Sequence, residues 1–228
     1  SSKNSPIALK AKAITKDVQI EGDFDLDVEL FPKMIAGYAK INHFPVEALN
    51  KRLSFKNDLL GSIGPNLSLN LLAKKGAEGV ETFLKIVSAK LNGQIDVLVN
   101  KNRVTLKKQA YLNWEVSPTL FQTFQSMFTL PSTFEVISDG RVNCVLQKGQ
   151  VDLNTKEFLA EGEVILSNLK WFLEPFKEKG FLDQFSVKFD KKNFGEILRI
   201  FSESTLYFEK YPPAMIEARC SLLPFSKA

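Results

Sequence analysis

Apolar and polar residues alternate along much of this chain, and the longest clean run is DVQIEGDFDLDVEL at 17–30. Val18, Ile20, Phe24, Leu26, Val28 and Leu30 take every second place, with Gly22 as the one gap, and acids or Gln19 stand between them. A period of two belongs to a strand with one dry and one wet face, and it cannot be drawn as one side of a helix. The pattern predicts a strand over 17–30, longer than the usual five or six residues. Residues 6–14 alternate more weakly and predict its hairpin partner. Folded back about Thr15 and Lys16, they set Lys10 opposite Glu21 and Lys12 opposite Gln19. On the other face Ile7 meets Phe24, Leu9 meets Gly22 and Ala11 meets Ile20, so one register serves both faces. Thr-Lys is a poor two-residue turn, which leaves room for a longer loop. The acidic row reads as a solvated, partly charge-paired sheet face rather than a cation site.

Further along, 36–41 predicts a short strand. Pro45 suits a first helical position, with Val46, Leu49 and Leu53 following at helical spacing. A short apolar piece at 59–63 closes at Gly64-Pro65. Leu67, Leu69 and Leu71 alternate as a strand, a turn falls near Lys75-Gly76, and Phe83, Lys85, Val87, Ala89 and Leu91 alternate again. GQIDVLVN from Gly93 is echoed by GRVNCVLQ from Gly140, and at the same offset Val104 matches Val151 and Leu106 matches Leu153. The echo suggests two units of strand, tight turn, strand and a further strand ending near Val116 or Leu166. Past Leu166, WFLEPF at 171–176 is apolar but broken by proline, which suits a loop or an edge. Phe185, Val187 and Phe189, then 197–201, then Ile216, Ala218, Cys220 and Leu222 predict three more strands, with a turn at Tyr211-Pro212-Pro213. Lys85 and Lys148 interrupt apolar phases and are expected at sheet rims.

The segment 116–134, VSPTLFQTFQSMFTLPSTF, carries no charge. Ser117 is a good N-cap, Pro118 suits the first turn, and Pro131 ends the helix. Leu120, Phe121, Phe124, Met127 and Phe128 fall on one face of it and Gln122, Thr123, Gln125 and Ser126 on the other. This is the best amphipathic helix in the chain, and a sheet with one apolar face needs a lid. Those five apolar residues are the candidate lining of a ligand groove, and the uncharged opposite face is free to meet lipid or another chain.

These elements predict a mainly β fold: one large curved antiparallel sheet, taco-like as a half-barrel or closed as a sandwich, with one or two short amphipathic helices. At 228 residues the chain can bury a sizeable core as a single β-rich domain. Phenylalanine is in excess, 19 against 4 Tyr and 2 Trp, which calls for a thick core or an apolar cavity. The 30 basic and 26 acidic residues are interleaved, and a net charge of +4 without a basic run argues against nucleic acid. Cys144 and Cys220 leave two readings open, one bridge or two free thiols. The opening Ser-Ser-Lys, without methionine or a signal-type apolar run, leads us to expect a segment of something longer.

Catalytic chemistry is not expected. His43 is the only histidine, no CxxC, Walker A loop or GxGxxG is present, and no carboxylate pair stands apart in an apolar context. No cofactor and no metal site are called for.

Three features together resemble the AsmA-like and TamB-like bacterial envelope proteins of the bridge-like lipid transfer group. They are the block Phe44-Pro45-Val46 through Leu59-Leu60-Gly61, Ile63-Gly64-Pro65 and Leu67-x-Leu69-x-Leu71; the hairpin Gly140-Arg-Val-Asn-Cys-Val-Leu with Gly149-Gln-Val-Asp-Leu-Asn; and the succession of long amphipathic strands. The resemblance implies a segment of a non-catalytic periplasmic module. Such a module uses an apolar groove to bind lipid or carry phospholipid between membranes, with acyl chains and envelope proteins as partners. It supplies no catalytic residue. The competing reading from the same residues is a structural or protein-interaction scaffold with a closed β-sandwich core.

Overall fold

A computed structural model describes residues 7–17, 20–31, 36–47, 59–127 and 133–222. In chain order the described residues form β1 (Ile7–Asp17), β2 (Ile20–Phe31), β3 (Ala36–Pro45), α1 (Leu59–Ile63), β4 (Asn66–Lys75), β5 (Val80–Ser88), β6 (Leu91–Asn100) and β7 (Arg103–Leu106). There follow β8 (Ala110–Val116), α2 (Pro118–Met127), β9 (Phe134–Val136), β10 (Gly140–Asp152), β11 (Phe158–Leu173), β12 (Glu178–Lys191), β13 (Leu198–Phe208) and β14 (Ala214–Leu222). The protein is mainly β and its sheet is antiparallel, with two short helices among the described residues. The chain divides into two compact units, Ser1–Ala110 with Gln150–Lys156, and Tyr111–Gly149 with Glu157–Ala228.

In the first unit β1 to β7 pair in sequence order, and the last residues of β10 pair with β7. The expected hairpin forms, but in another register. Lys10 stands opposite Asp27 rather than Glu21, and Ile7 opposite Leu30 rather than Phe24. Chain reversal falls between Asp17 and Ile20, inside the run predicted as one strand. This register places Lys10, Lys12 and Lys16 opposite Asp27, Asp25 and Glu21, three opposite-charge pairs where the expected one made a single pair. Because the slip is an even number of residues, each position keeps its face of the sheet.

Each face continues from strand to strand. One row runs Leu9, Val28, Ala39, Leu71, Leu84, Ile95 across six strands, and the next row on the opposite face runs Lys10, Asp27, Lys40, Asn70, Lys85, Gln94. Strand β3 reaches Pro45, beyond the predicted 36–41, through a register shift between Ile41 and Phe44. His43 sits in that irregularity with φ of 50°, and its N–H donates to Ser68 Oγ at 3.2 Å, so it belongs to a strand rather than to a loop. Val46 and Glu47 are helical, as expected after Pro45; Leu49 and Leu53 lie outside the described residues.

Short α1 is tied to one end of this sheet. Ser88 Oγ donates to the carbonyl of Ile63 at 2.7 Å and Lys90 Nζ to that of Gly61 at 3.0 Å, which satisfies carbonyls a helix end leaves open. Gly64 follows with φ of +100°, and a Cβ there would stand 2.9 Å from Ala89 Cβ. The single strand expected from Phe83 to Leu91 breaks at this place. β5 ends at Ser88, and Leu91 opens β6, because the Ser88 hydroxyl takes the N–H groups of Lys90 and Leu91 in a tight turn.

The sequence echo does not produce two equal hairpins. The first copy turns at Lys101-Asn102, whereas β10 runs unbroken from Gly140 to Asp152. The matched residues Val104 and Val151 instead face each other as cross-strand partners.

In the second unit the order is β10, β11, β12, β13, β14, with β8 on β10 and β9 on β11. Strand β11 does not stop near Leu166 but continues to Leu173, and Trp171 is buried at 3% exposure rather than in a loop. Pro175 falls just beyond, in a 3-10 turn at Glu174–Phe176. The pattern breaks near Leu166 because Asn168 takes φ of 58° and the β12–β13 register shifts between Leu182 and Phe185. Left-handed residues and bulges of this kind re-aim side chains. Leu166 and Leu169, and likewise Phe185 and Leu182, consequently pack on the same cluster. β13 extends to Phe208, past the predicted 197–201, while β12 and β14 carry the alternation read from the sequence.

Candidate functional site

The candidate lid, α2, starts as its sequence requires. Ser117 Oγ accepts the N–H of Leu120 at 3.2 Å and the Ser117 carbonyl accepts that of Phe121 at 3.0 Å. Leu120 is buried, and Phe121 packs against Val136, Leu169, Trp171 and Leu182, the buried cluster of the second unit. Of the five candidate groove residues, these two are therefore brought inward together. Phe124 and Met127 lie on α2 but their side chains are outside what is described, and Phe128 lies outside the described residues altogether. Where its side chains are described, the helix packs on a buried core through Phe121.

Around that cluster Phe208 meets Trp171 edge-on at 5.3 Å between ring centroids. The sequence reading missed Trp171, Leu169 and Leu182 as core residues. The apolar weight of WFL was visible, but Pro175 drew it towards a loop.

The apolar face of the first unit is of another kind. Its rows are built from aliphatic residues, yet Leu71 and Leu84, direct partners in β4 and β5, remain 40% and 37% exposed. Leu69, Ile86 and Ile95 around them are only half-buried. Burial on this face is found at the α1 end, at Leu67 and Gly93. Val151, on the same face beside Val104, is 39% exposed. A leucine pair in mid-sheet that stays this open is the informative observation, since single exposed apolar residues are common but contiguous patches are not.

The opposite face carries charge pairs. Lys107 Nζ lies 2.7 Å from Glu81 Oε1, which lowers the Glu81 pKa and raises that of Lys107, in both cases chiefly through the hydrogen bond. In the second unit Lys148 Nζ meets Glu161 Oε2 at 2.6 Å with the same paired effect. Lys85 and Lys148 are both exposed, but Lys85 stands in mid-strand between Asn70 of β4 and Gln94 of β6 rather than at the expected sheet rim. Cys144 and Cys220 are free thiols, and burial pushes that of Cys144 up. Among the described residues no group of three His, Cys, Asp or Glu side chains is placed to hold a metal, and no helix is long and apolar enough to cross a membrane.

Compared with known protein families, curated proteins and solved structures, the chain gives no significant match to any of them.

Proposed function

We propose that this protein is a non-catalytic lipid-binding module whose apolar sheet face takes up acyl chains. The observation that carries the reading is the half-open aliphatic face of the first unit around Leu71 and Leu84. Leu, Ile, Val and Ala dominate that face, whereas surfaces that bind proteins draw their energy from Tyr, Trp and Arg anchors. Acyl chains need no such anchor, because each buried CH₂ contributes about 0.8 kcal/mol without a specific contact. The resemblance to AsmA-like and TamB-like proteins supports the same reading. It adds the proposed setting, the periplasm or cell envelope, and a role as a segment in phospholipid transport between membranes.

The scaffold reading is favoured by one observation, the buried cluster of Val136, Leu169, Trp171 and Leu182 on which Phe121 packs. Substituting Leu84→Asp separates the two. On an open face the variant keeps its unfolding midpoint and loses uptake of a fluorescent fatty acid. In a closed core the carboxylate has no partner and the domain unfolds. Wild-type protein that carries no lipid in native mass spectrometry and takes up no probe would leave the scaffold as the function.

A further inference from the structure

Lys191 ends β12 in phase with Phe185, Val187 and Phe189, and it is only 5% exposed. Directly opposite stands Ala160, and the ammonium lies 4.7 Å from the centroid of the Phe158 ring. Among the described residues no carboxylate pairs with it. Its exposed neighbours do find acids: Lys188 approaches Glu163 at 3.9 Å and Lys192 approaches Asp190 at 3.6 Å. An aromatic face attracts an ammonium more weakly than an oxyanion does. The residues leading to it, Phe185, Val187 and Phe189, are each half-buried, so the apolar strip on which Lys191 stands is not closed over.

The other end of the strip is shut by Leu182, Leu169 and Trp171, with Phe121 of α2 packed on them. From Phe185 to Lys191 the strip spans about 20 Å at the ~3.3 Å rise of a strand. One leaflet of a bilayer core is about 15 Å deep, half of roughly 30 Å. We infer that this strip binds an amphiphile whose acyl chain lies along Phe189, Val187 and Phe185 and whose anionic head, a carboxylate or phosphate, is received by Lys191. The inference rests on the lipid-binding reading and adds to it the head-group class and the direction in which the chain lies. An oxyanion supplies a counter-charge that no carboxylate among the described residues provides, through a charge-assisted hydrogen bond. A neutral head leaves the ammonium as it is.

The test uses a fluorescent long-chain fatty acid and its methyl ester, identical in chain, titrated into the full chain above the carboxylate pKa range. Wild type is expected to bind the acid about tenfold tighter than the ester, the factor given by 1.4 kcal/mol. Lys191→Met and Lys191→Gln should weaken acid binding to the level of the ester and leave the ester unchanged. Lys191→Arg should keep the preference, as should Lys148→Met at an exposed lysine. Equal binding of acid and ester by wild type, or a preference that survives both neutral variants, overturns the inference while the lipid-binding reading stands. If wild type binds neither probe, both fall. The wild-type comparison decides the matter even if a variant fails to fold.

Discussion

The indole of Trp171 lies over Gly180, the residue directly opposite it in β12, so closely that any Cβ on Gly180 would collide with the ring and with the carbonyl oxygen of Tyr207. The arrangement recurs along the same two strands with the roles exchanged. Phe189 of β12 covers Gly162 of β11, where an added Cβ would stand 2.6 Å from a ring carbon. A glycine weakens a strand by leaving a hole on the sheet, and a cross-strand aromatic fills it.

Gly180→Ala should therefore destabilise the second unit by about 1–3 kcal/mol, the range for overpacking a filled site. Urea denaturation followed by tryptophan fluorescence checks this, since Trp171 is one of only two tryptophans. A midpoint and spectrum equal to wild type would mean that the ring does not cover this glycine.

Truncation should separate the sealed region from the open one. Leu169 is 2% exposed within the cluster under α2, and Leu169→Ala should cost about 2–5 kcal/mol. Leu84→Ala, at 37% exposure, should cost under about 1 kcal/mol and reduce acyl-probe affinity instead. Equal losses of stability at the two positions would argue that the first unit's face is closed in solution.

The start of α2 depends on one hydroxyl. Ser117→Ala removes the acceptor for the Leu120 N–H and should lower stability by about 0.5–2 kcal/mol, whereas Ser117→Asp should restore most of it. Thermal unfolding of the three proteins is the measurement. An alanine variant as stable as wild type would remove the cap from the account.

Asp152 closes the turn after β10. Its carboxylate accepts the N–H groups of Thr155 at 3.0 Å and Asn154 at 2.9 Å and lies 3.6 Å from Arg103. The Thr155 bond is the largest cause of a pKa below the ordinary carboxylate value, with Asn154 and Arg103 adding to it. A carboxylate with a depressed folded-state pKa contributes stability that is present above its unfolded pKa and lost as pH falls through the folded one. The gap in thermal midpoint between wild type and Asp152→Ala should thus be full at neutral pH and shrink in acid. A gap that widens in acid would contradict the assignment.

Much of the fold was legible because alternation constrains side-chain parity. The predicted faces of β1, β2, β4 and β14 agree with the observed pairings, and Leu120 and Phe121 point inward as their helical spacing required. Parity does not set register, though. Lys10 moved from Glu21 to Asp27 without a change of face, since only the turn position and the sum of cross-strand pairs distinguish registers that differ by an even number. Lys191 is the next place in phase after Phe185, Val187 and Phe189, but a Lys-Lys doublet at a strand end has the pattern of ordinary surface charge.

Side-chain period and capping were enough to give amphipathic antiparallel strands, the residues that share a face, and the start of the one strong helix. Those are local properties. How completely each face is covered came from the packing of distant elements: tight at Trp171 and Leu169, open at Leu71 and Leu84, and half-open along the strip that ends at Lys191. Burial depends on what other elements bring to a face. The phase slip at Asn168 that carries Trp171 into the core is a backbone conformation that hydrophobic period does not encode.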